Sequence, residues 1–309
     1  MLIDGHVHIF PEIDGYGPKG RTRSAGYGQV RLGDGSLSQV LPAINEKTSH
    51  TLPMLLHEMD QCGVDKAVLL LCPCYGDWSG YVMDACRTYP DRFVASAFFD
   101  PWQADAQTYF KEELQGQAWK NIKIEFSWEG GLCGVYPGAD LDTEELRWMW
   151  RAMEKSGKTV SFDLGRPGEP SYQTAQIEAI ARRHPGLKIV LCHIGQPSRR
   201  IERDPDLWSH WLEQIRLGRL ANVWFDISAM PFHVREEGYP FPSTKRYFDL
   251  ALSIVGAEKL IWGTDIPWLL GAASYEQLVA HGRWLVDELS SDEQQMILAK
   301  NALTVYWNS

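Results

Sequence analysis

The sequence predicts a single (β/α)8 barrel that spans residues 1–309, and three observations support this fold class. Eight short runs rich in Val, Ile and Phe recur along the chain, as buried parallel strands require. Amphipathic helical patterns separate these runs, and no linker-like shift in composition divides the chain. Eight strand–helix alternations in 309 residues match the size of one closed parallel barrel. The predicted strands span residues 2–8, 66–72, 92–99, 121–126, 159–164, 187–193, 222–227 and 259–265.

Three of the intervening segments carry recognisable helix boundaries. The segment 51–63 ends in a glycine, which is common just after the last turn of a helix. Residues 142–157 open with acidic residues and stop at Gly157, whereas residues 171–186 end at a His-Pro-Gly sequence that breaks a helix. Each of these predicted helices therefore fits between two predicted strands, as a β/α repeat requires.

The connection after the first predicted strand is long and rich in glycine, and it covers residues 11–50. A doubly wound open sheet is the alternative fold, but its dinucleotide-binding form joins the first strand to a helix by a short glycine loop. A long, glycine-rich loop at a barrel mouth is typical of a flexible flap over an active site. A structural excursion without a function is the other interpretation.

The charge balance of the chain is acidic, because 40 Asp and Glu residues outnumber 30 Lys and Arg residues and give a formal net charge of -10. An acidic surface repels nucleic acids and anionic membranes, so neither is expected as a partner. No apolar run approaches the roughly 18 residues that a membrane helix needs. A small-molecule substrate is the expected partner. The oligomeric state is left open, with a homodimer as the commonest soluble assembly.

The six cysteines show neither the paired spacing of a zinc ribbon nor a preceding secretory signal. Two of them, Cys72 and Cys74, form a C-x-C sequence at the predicted end of the second strand. Reduced thiols in a cytoplasmic protein fit this usage best, because stable disulfides belong to oxidising compartments.

Two histidines lie one residue apart in the first predicted strand. Side chains alternate in direction along a strand, so His6 and His8 share one face while Val7 lies on the other. Two imidazoles that converge at a strand end suit a divalent metal ion. A His-x-His pair alone is weak evidence, since most histidines are surface or core residues, so the remaining ligands must come from elsewhere in the chain.

Ionisable residues occur at the carboxyl ends of most predicted strands. In a (β/α)8 barrel these ends meet around one central mouth, so the residues are expected to converge. Burying them unpaired would cost several kcal/mol per group, so a metal ion or a dense hydrogen-bond network must compensate. The residues concerned are His6, His8, Glu125, Asp163, His193, Asp226 and Asp265.

Three motifs at these strand ends resemble signatures of the amidohydrolase superfamily, namely "DGHVH", "VLCHIGQP" and "IWGTDIPW" in the first, sixth and eighth strands. The resemblance is closest to the amidohydrolase 2 branch of decarboxylases and lactonases. Residues 161–197 look most like the lactonase subgroup that includes 2-pyrone-4,6-dicarboxylate lactonase and fuconolactonase. The tail "ILAKNALTVYW" resembles the terminal helix of this branch, so the resemblance covers nearly the whole chain.

The resemblance implies a metal-dependent active site at the barrel mouth. His6 and His8 would ligate a divalent cation, and Asp265 would bind the metal or the nucleophilic water and accept a proton. His193 would orient or protonate the substrate. Hydrolysis is the reaction that such residues imply.

The sequence departs from the decarboxylase-like pattern at the fifth strand, where Asp163 stands in place of a metal-ligating histidine. Glu125 is the preferred additional oxygen ligand, because a strand 4 glutamate ligates metal in other members of the superfamily. The alternatives are that Asp163 takes this role, or that the site is poor in metal, as in some related lactonases.

Two imidazoles and two carboxylates make a mixed nitrogen and oxygen site that suits one Zn²⁺ ion, with Mn²⁺ and Fe²⁺ as alternatives. Such a metal activates water near neutral pH, so hydrolysis of a lactone, amide or ester of a small organic molecule is the leading hypothesis. Arg166 and Arg199 lie in loops where they could bind a substrate carboxylate, and Trp268 is the third predicted substrate contact.

The sequence is also compatible with three alternative functions. A non-oxidative decarboxylase of the same branch would use the metal to hold the substrate, although the missing histidine of the fifth strand weakens this version. A metal-free lactonase would use the same acids and bases without the ion. A catalytically silent binding barrel is the third alternative, and the many polar groups at the strand ends speak against it.

Overall fold

A computed structural model describes residues 1–116 and 118–308 of the chain. Within these residues, eight parallel strands form one sheet and a smaller antiparallel sheet of four strands lies in the first connection. The parallel strands pair in chain order, so the predicted (β/α)8 fold is confirmed. Numbered along the chain, the strands are β1 (Ile3–Val7), β2 (Asp14–Gly17), β3 (Gly20–Gly26), β4 (Gln29–Arg31), β5 (Leu37–Gln39), β6 (Lys66–Leu70), β7 (Phe93–Phe98), β8 (Trp119–Glu125), β9 (Thr159–Asp163), β10 (Lys188–Leu191), β11 (Val223–Asp226) and β12 (Leu260–Ile261).

The barrel is closed by the segment that follows β12. The backbone amide of Gly5 in β1 donates to the carbonyl of Trp262 over 2.9 Å, and the amide of Asp265 donates to the carbonyl of His6 over 2.8 Å. On its other side, β1 pairs with β6 in parallel. The first strand is therefore bonded on both sides, which holds its histidines rigidly at the barrel mouth.

Strands β8 and β9 position several ionisable side chains on one face. Their register sets Lys123 opposite Ser161 and Glu125 opposite Asp163. Alternate residues such as Ile122 point the other way and are fully buried in the main hydrophobic core. The apolar alternation therefore secures the strands, while the opposite face carries acids and a lysine to the mouth.

The three helices with clear sequence boundaries are present. Helix α1 (Leu52–Cys62) ends before Gly63, whose φ of 68° closes the helix, and Gly157 with the same φ follows α5 (Arg147–Lys155). Wider π-type turns at Phe110–Leu114 and Met296–Lys300 continue α3 (Ala106–Tyr109) and α12 (Ser291–Gln295). Among the described residues, no helix combines the length and the apolar character needed to cross a membrane. The helices are α1 (Leu52–Cys62), α2 (Ser79–Thr88), α3 (Ala106–Tyr109), α4 (Leu132–Val135), α5 (Arg147–Lys155), α6 (Thr174–Arg183), α7 (Arg199–Glu202), α8 (Pro205–Arg216), α9 (Met230–His233), α10 (Ser243–Val255), α11 (Tyr275–Leu285) and α12 (Ser291–Gln295).

The connection after β1 is a folded antiparallel sheet, β2–β5, where the sequence predicts a flexible flap. Its strand β2 packs on the loop that follows β6. The amide of Tyr16 donates to the Pro73 carbonyl over 2.8 Å, and the amide of Asp14 donates to the Tyr75 carbonyl over 3.1 Å. The small sheet therefore supports one wall of the barrel mouth.

Candidate functional site

Two histidines from the first strand are fixed by hydrogen bonds at their Nδ1 atoms. His6 Nδ1 lies 3.0 Å from Oδ2 of Asp226, and His8 Nδ1 lies 2.7 Å from the carbonyl oxygen of Leu70. A carbonyl oxygen only accepts, so Nδ1 of His8 carries the proton. The carboxylate of Asp226 accepts in the same way, because neighbouring histidines hold the pKa of that carboxyl well below its usual value despite its burial. Nδ1 is therefore the protonated ring nitrogen in both neutral imidazoles.

The two Nε2 atoms converge on one oxygen of Asp265. Oδ1 of Asp265 lies 3.3 Å from Nε2 of His8 and 3.6 Å from Nε2 of His6. Nε2 of His6 is buried and has no hydrogen-bond partner. These three ligand atoms lie within 4.8 Å of one another and can hold a metal ion. Since each of them presents a lone pair and no proton, a divalent cation fits between them.

Burial keeps both histidines neutral. It lowers the pKa of His6, although Asp226 opposes the shift, and it lowers the pKa of His8 to about 4. Burial alone would raise the pKa of Asp265, but the contact with His8 and the nearby histidines hold it below its usual value. Neutral imidazoles and an ionised carboxylate are the protonation states that a metal site needs.

A third histidine, His193, is held by acceptors at both ring nitrogens. Its Nε2 lies 3.2 Å from Oδ2 of Asp163, and its Nδ1 lies 2.9 Å from the Ser228 hydroxyl. That hydroxyl donates its own proton to Asp226, so it accepts from His193. Burial alone would lower the pKa of His193, but Asp163 and the other carboxylates raise it to about 9. His193 is therefore a buried imidazolium beside the metal-binding group.

Two residues of this site, His193 and Asp265, have a strained backbone conformation. His193 has a φ of 60° and Asp265 a φ of 64°, in the left-handed region that side chains other than glycine rarely adopt. The surroundings of Asp265 over-determine this conformation, because Asp4 accepts hydrogen bonds from the amide and the hydroxyl of Thr264 over 2.9 and 2.6 Å. Strain of this kind clusters at functional sites.

A cavity of about 370 Å³ opens beside these residues. Its lining includes the ionisable residues His8, Asp265 and His193. It also includes aromatic side chains, among them Phe232 and Trp268, whose rings are in contact at a centroid distance of 5.4 Å. A cavity lined by both ionisable and aromatic side chains is suited to a small organic molecule with a polar reactive group.

The structure brings His6, His8 and Asp265 together. The other acids at the strand ends, Glu125, Asp163 and Asp226, contact other partners. Glu125 lines the same cavity but lies outside the three-atom group, and its carboxylate contacts Lys123 over 3.2 Å and the Ser127 hydroxyl over 2.6 Å. Asp163 is engaged with His193 and with the amide of Gly165. Asp226 orients His6. The role of Glu125 as a metal ligand stays a prediction.

The predicted substrate contacts divide into two groups. Arg166 and Trp268 line the cavity, and the Arg166 guanidinium is paired with Glu129 over 2.8 and 3.2 Å. Arg199 is not among the residues that line the cavity in the described part of the chain. It lies in α7, where its guanidinium contacts Glu237 over 2.9 Å.

Several site residues escaped the sequence analysis as participants. Asp4 anchors the segment before Asp265, and its burial raises the pKa of its carboxyl to about 7. Lys123 is almost fully buried and lines the cavity. The signal for Lys123 was its position two residues before Glu125, on the same face of one strand. Gln196, which donates to Asp163 over 2.9 Å, lies in the VLCHIGQP motif of the sixth strand, but the sequence predicts no role for it.

The family model described as amidohydrolase matches residues 3–307. The chain belongs to the amidohydrolase family. The matched range includes the three motifs at the strand ends, and this amidohydrolase is an enzyme.

Known proteins similar to this amidohydrolase include lactone hydrolases. L-fucono-1,5-lactonase of Burkholderia multivorans is 28% identical over 141 residues, which cover 43% of this chain and only 48% of that relative. A zinc-bound amidohydrolase structure from the same organism superposes with a TM-score of 0.72 at 16% identity, covering 99% of both chains. A probable 2-pyrone-4,6-dicarboxylic acid hydrolase of Acinetobacter baumannii, solved with citric acid, gives a TM-score of 0.69 at 18% identity over 99% of both chains.

Proposed function

We propose that this amidohydrolase is a metal-dependent hydrolase that opens a lactone or cleaves a related ester or amide of a small organic molecule. The observation that carries the proposal is the convergence of three proton-free ligand atoms, Nε2 of His6, Nε2 of His8 and Oδ1 of Asp265. Without a cation between them, a buried carboxylate would face two nitrogen lone pairs, which is electrostatically unfavourable.

The donor set supports Zn²⁺ as the resident ion, with Mn²⁺ and Fe²⁺ as alternatives. Two imidazole nitrogens and one carboxylate oxygen form a mixed set that zinc accepts, with a position left for water or substrate. The zinc-bound relative supports the same choice. When bound, such an ion lowers the pKa of a coordinated water and polarises a carbonyl group.

The chain's own residues supply the acid, the base and the orientation. The ionised carboxylate of Asp265 lies at the metal-binding group and can accept a proton from the attacking water. The His193 imidazolium lines the cavity and can stabilise an oxyanion through its charge. To protonate a leaving oxygen it would deliver the Nε2 proton that it now donates to Asp163. Asp163 holds His193 in this charged state across 3.2 Å.

Three cations of the cavity can contact a substrate carboxylate, and each of them is also paired with a carboxylate of the lining: Lys123 with Glu125, Arg166 with Glu129 and His193 with Asp163. Of these cations, His193 and Lys123 are almost fully buried, where a charge acts through a low dielectric. The lactone-hydrolase names of the relatives suggest a ring that is opened by water. Trp268 and Phe232 would pack against the body of such a ring.

Metal analysis of protein purified without chelator tests the proposal. We expect one Zn²⁺ per wild-type chain, and loss of this metal in a variant that combines His6→Ala with His8→Ala. The matched control is His210→Ala, an exposed histidine of α8, which should retain the metal. Equal metal content in both variants would contradict the assignment of these ligands.

Activity is then measured on a panel of lactones and aromatic acids with added Zn²⁺ or Mn²⁺. We expect ring opening of a carboxylated lactone, followed as acid release, and no release of carbon dioxide. Carbon dioxide release from an aromatic acid would instead make the protein a decarboxylase. Ring opening that persists after full removal of metal would make it a metal-free lactonase.

A further inference from the structure

Two cysteines lie side by side in the wall of the active-site cavity. The Sγ atoms of Cys72 and Cys74 are 2.8 Å apart, and both residues line the cavity together with His8. The pair follows β6 directly, two residues beyond the Leu70 carbonyl that fixes Nδ1 of His8. The hydrolysis proposed above makes no use of either thiol.

The two thiols belong to a chain of contacts that runs from Cys74 through Cys72 and Glu125 to Lys123. The Cys72 thiol donates to Oε2 of Glu125 across 4.0 Å, so the Cys74 thiol is the donor within the pair. The hydrogen bond to Cys72 and burial raise the pKa of the Cys74 thiol well above its usual value. Glu125 in turn contacts Lys123 over 3.2 Å. The pair is thus joined to the charged groups of the cavity.

The backbone of this segment is held from its far side by the small sheet. Gly15 of β2 lies so close that a Cβ atom there would meet the Cys74 carbonyl oxygen at 2.2 Å and the Pro73 carbonyl oxygen at 2.5 Å. The Tyr16 amide also bonds the Pro73 carbonyl. This close packing of β2 restricts movement of the backbone at Pro73 and Cys74.

We propose that Cys72 and Cys74 are a thiol–disulfide modification site, at which a small-molecule disulfide such as oxidised glutathione converts the two thiols into a disulfide and reshapes the active-site cavity. Closing the sulfurs to a bond of about 2.05 Å requires a movement of about 0.8 Å. The geometry therefore favours these two thiols over pairs that would need a backbone rearrangement.

The exchange is balanced in two steps. One cysteine, as its thiolate, attacks a sulfur of oxidised glutathione and releases one molecule of reduced glutathione. The second cysteine then attacks the mixed disulfide, forms the Cys72–Cys74 bond and releases the second glutathione. The two protons of the protein thiols leave with the two glutathione thiols, and a dithiol reductant reverses the process.

Oxidation removes the proton that Cys72 donates to Glu125, and it pulls on the loop between the Leu70 carbonyl and Tyr75, whose ring lies 5.0 Å from that of His8. The effect on catalysis rests on the proposed function, because it acts through His8. The chemical modification itself can be measured without any substrate.

The test oxidises the native protein with an excess of oxidised glutathione, quenches it with acid, unfolds it and counts free thiols. The wild-type count should fall from six to four per chain, with a mass loss of two hydrogens located in the peptide that ends at Tyr75. The Cys86→Ser variant, altered in α2 away from the cavity, should also lose two thiols. Neither Cys74→Ser nor Cys72→Ser should form an internal disulfide, and either variant serves if the other does not fold.

The rate of hydrolysis of whichever lactone the substrate panel identifies provides the second readout. The rate in wild type and in Cys86→Ser should fall in step with the thiol count and recover with dithiothreitol, whereas the rate of Cys74→Ser should be insensitive to oxidised glutathione. Six free thiols after oxidation, or a disulfide between other cysteines, would overturn the modification site. Disulfide formation without a change in rate would overturn its effect on the cavity. If no variant hydrolyses any lactone, the proposed function fails while the thiol count still decides the modification.

Discussion

The Nδ1 atom of His6 donates to Oδ2 of Asp226 across 3.0 Å, and this contact leaves Nε2 of His6 unprotonated and directed at Asp265. The Asp226 carboxylate also accepts the amide and hydroxyl protons of Ser228 through its other oxygen. One carboxylate thus determines which nitrogen of His6 is free to bind a metal ion.

Replacing Asp226 with Asn should lower zinc affinity by about 10- to 100-fold, the usual range when the hydrogen-bond partner of a ligating histidine is removed. The amide nitrogen would face Nδ1 as a donor and favour the tautomer with its proton on Nε2. Competition with a chromogenic chelator measures the affinity. The control is Asp163→Asn, because Asp163 contacts His193 and not His6. Equal zinc affinity in the two variants would refute the orienting role of Asp226.

The buried pair of Lys123 and Glu125 provides a prediction about stability. Both side chains are less than one-tenth exposed, so Glu125→Gln would leave an ammonium group buried without its partner. We expect a loss of about 3 kcal/mol in the free energy of unfolding, measured by chemical denaturation. The double variant Lys123→Met, Glu125→Gln should recover much of this loss, because no unpaired charge remains.

Glu129→Gln is the control for this pair. It removes the partner of the more exposed Arg166 and should cost less than about 1 kcal/mol. The same Glu125→Gln protein also tests whether Glu125 is the additional metal ligand. Because His6, His8 and Asp265 form the metal-binding group without Glu125, we expect the zinc content of Glu125→Gln to stay at the wild-type level. A large drop in zinc would instead support Glu125 as a ligand.

Adding one methyl group at Gly15 should disrupt the contact between the small sheet and the loop that carries Cys72 and Cys74. In Gly15→Ala, the new Cβ would lie 2.2 Å from the Cys74 carbonyl oxygen, so β2 must move away from the loop. We expect a destabilisation of about 1 to 3 kcal/mol and faster proteolysis after the exposed Arg21 and Arg23. Gly80→Ala is the control, since Gly80 lies in α2 with nothing within 4 Å of its Cβ position. Equal proteolysis in the two variants would argue against the contact.

The barrel was predictable because two local signals agree along the chain. Buried parallel strands such as β10 are continuous apolar runs, and helices such as α1 end at a glycine that adopts the left-handed conformation. Ionisable residues that interrupt such runs, as His6 and His193 do, were conspicuous for the same reason. The fold then determined that they converge.

The small sheet was missed because its strands carry no apolar alternation. Strand β3 alternates between exposed and half-buried positions filled by Arg, Thr, Ser and Gly, which resembles a loop in composition. The partners of side chains outside the strands could not be predicted from the sequence either. The Arg199 guanidinium contacts Glu237, which lies 38 residues further along the chain. No periodicity in the sequence encodes that contact.

A histidine remote from the active site, His281, should make the free energy of unfolding fall as the pH falls. His281 in α11 is buried, and its Nε2 lies 2.7 Å from the Thr244 hydroxyl. That hydroxyl donates to the Phe241 carbonyl over 2.7 Å, so it accepts the proton of Nε2, and the proton that would charge the ring must add at Nδ1. Burial lowers the pKa of His281 from 6.5 to about 4.

The sign of the effect follows from proton binding. Between pH 6.5 and pH 4 the unfolded chain takes up a proton at His281 that the folded chain does not, so the free energy of unfolding falls as the pH falls. The contribution is fully present above pH 6.5 and amounts to about 3 kcal/mol at most. In His281→Gln, whose amide can still donate to Thr244, this part of the acid sensitivity should disappear. Chemical denaturation at several pH values measures the difference between wild type and variant, and His210→Gln, an exposed histidine, should track the wild type. Parallel pH profiles for wild type and His281→Gln would show that the pKa of His281 is the same in the folded and the unfolded protein.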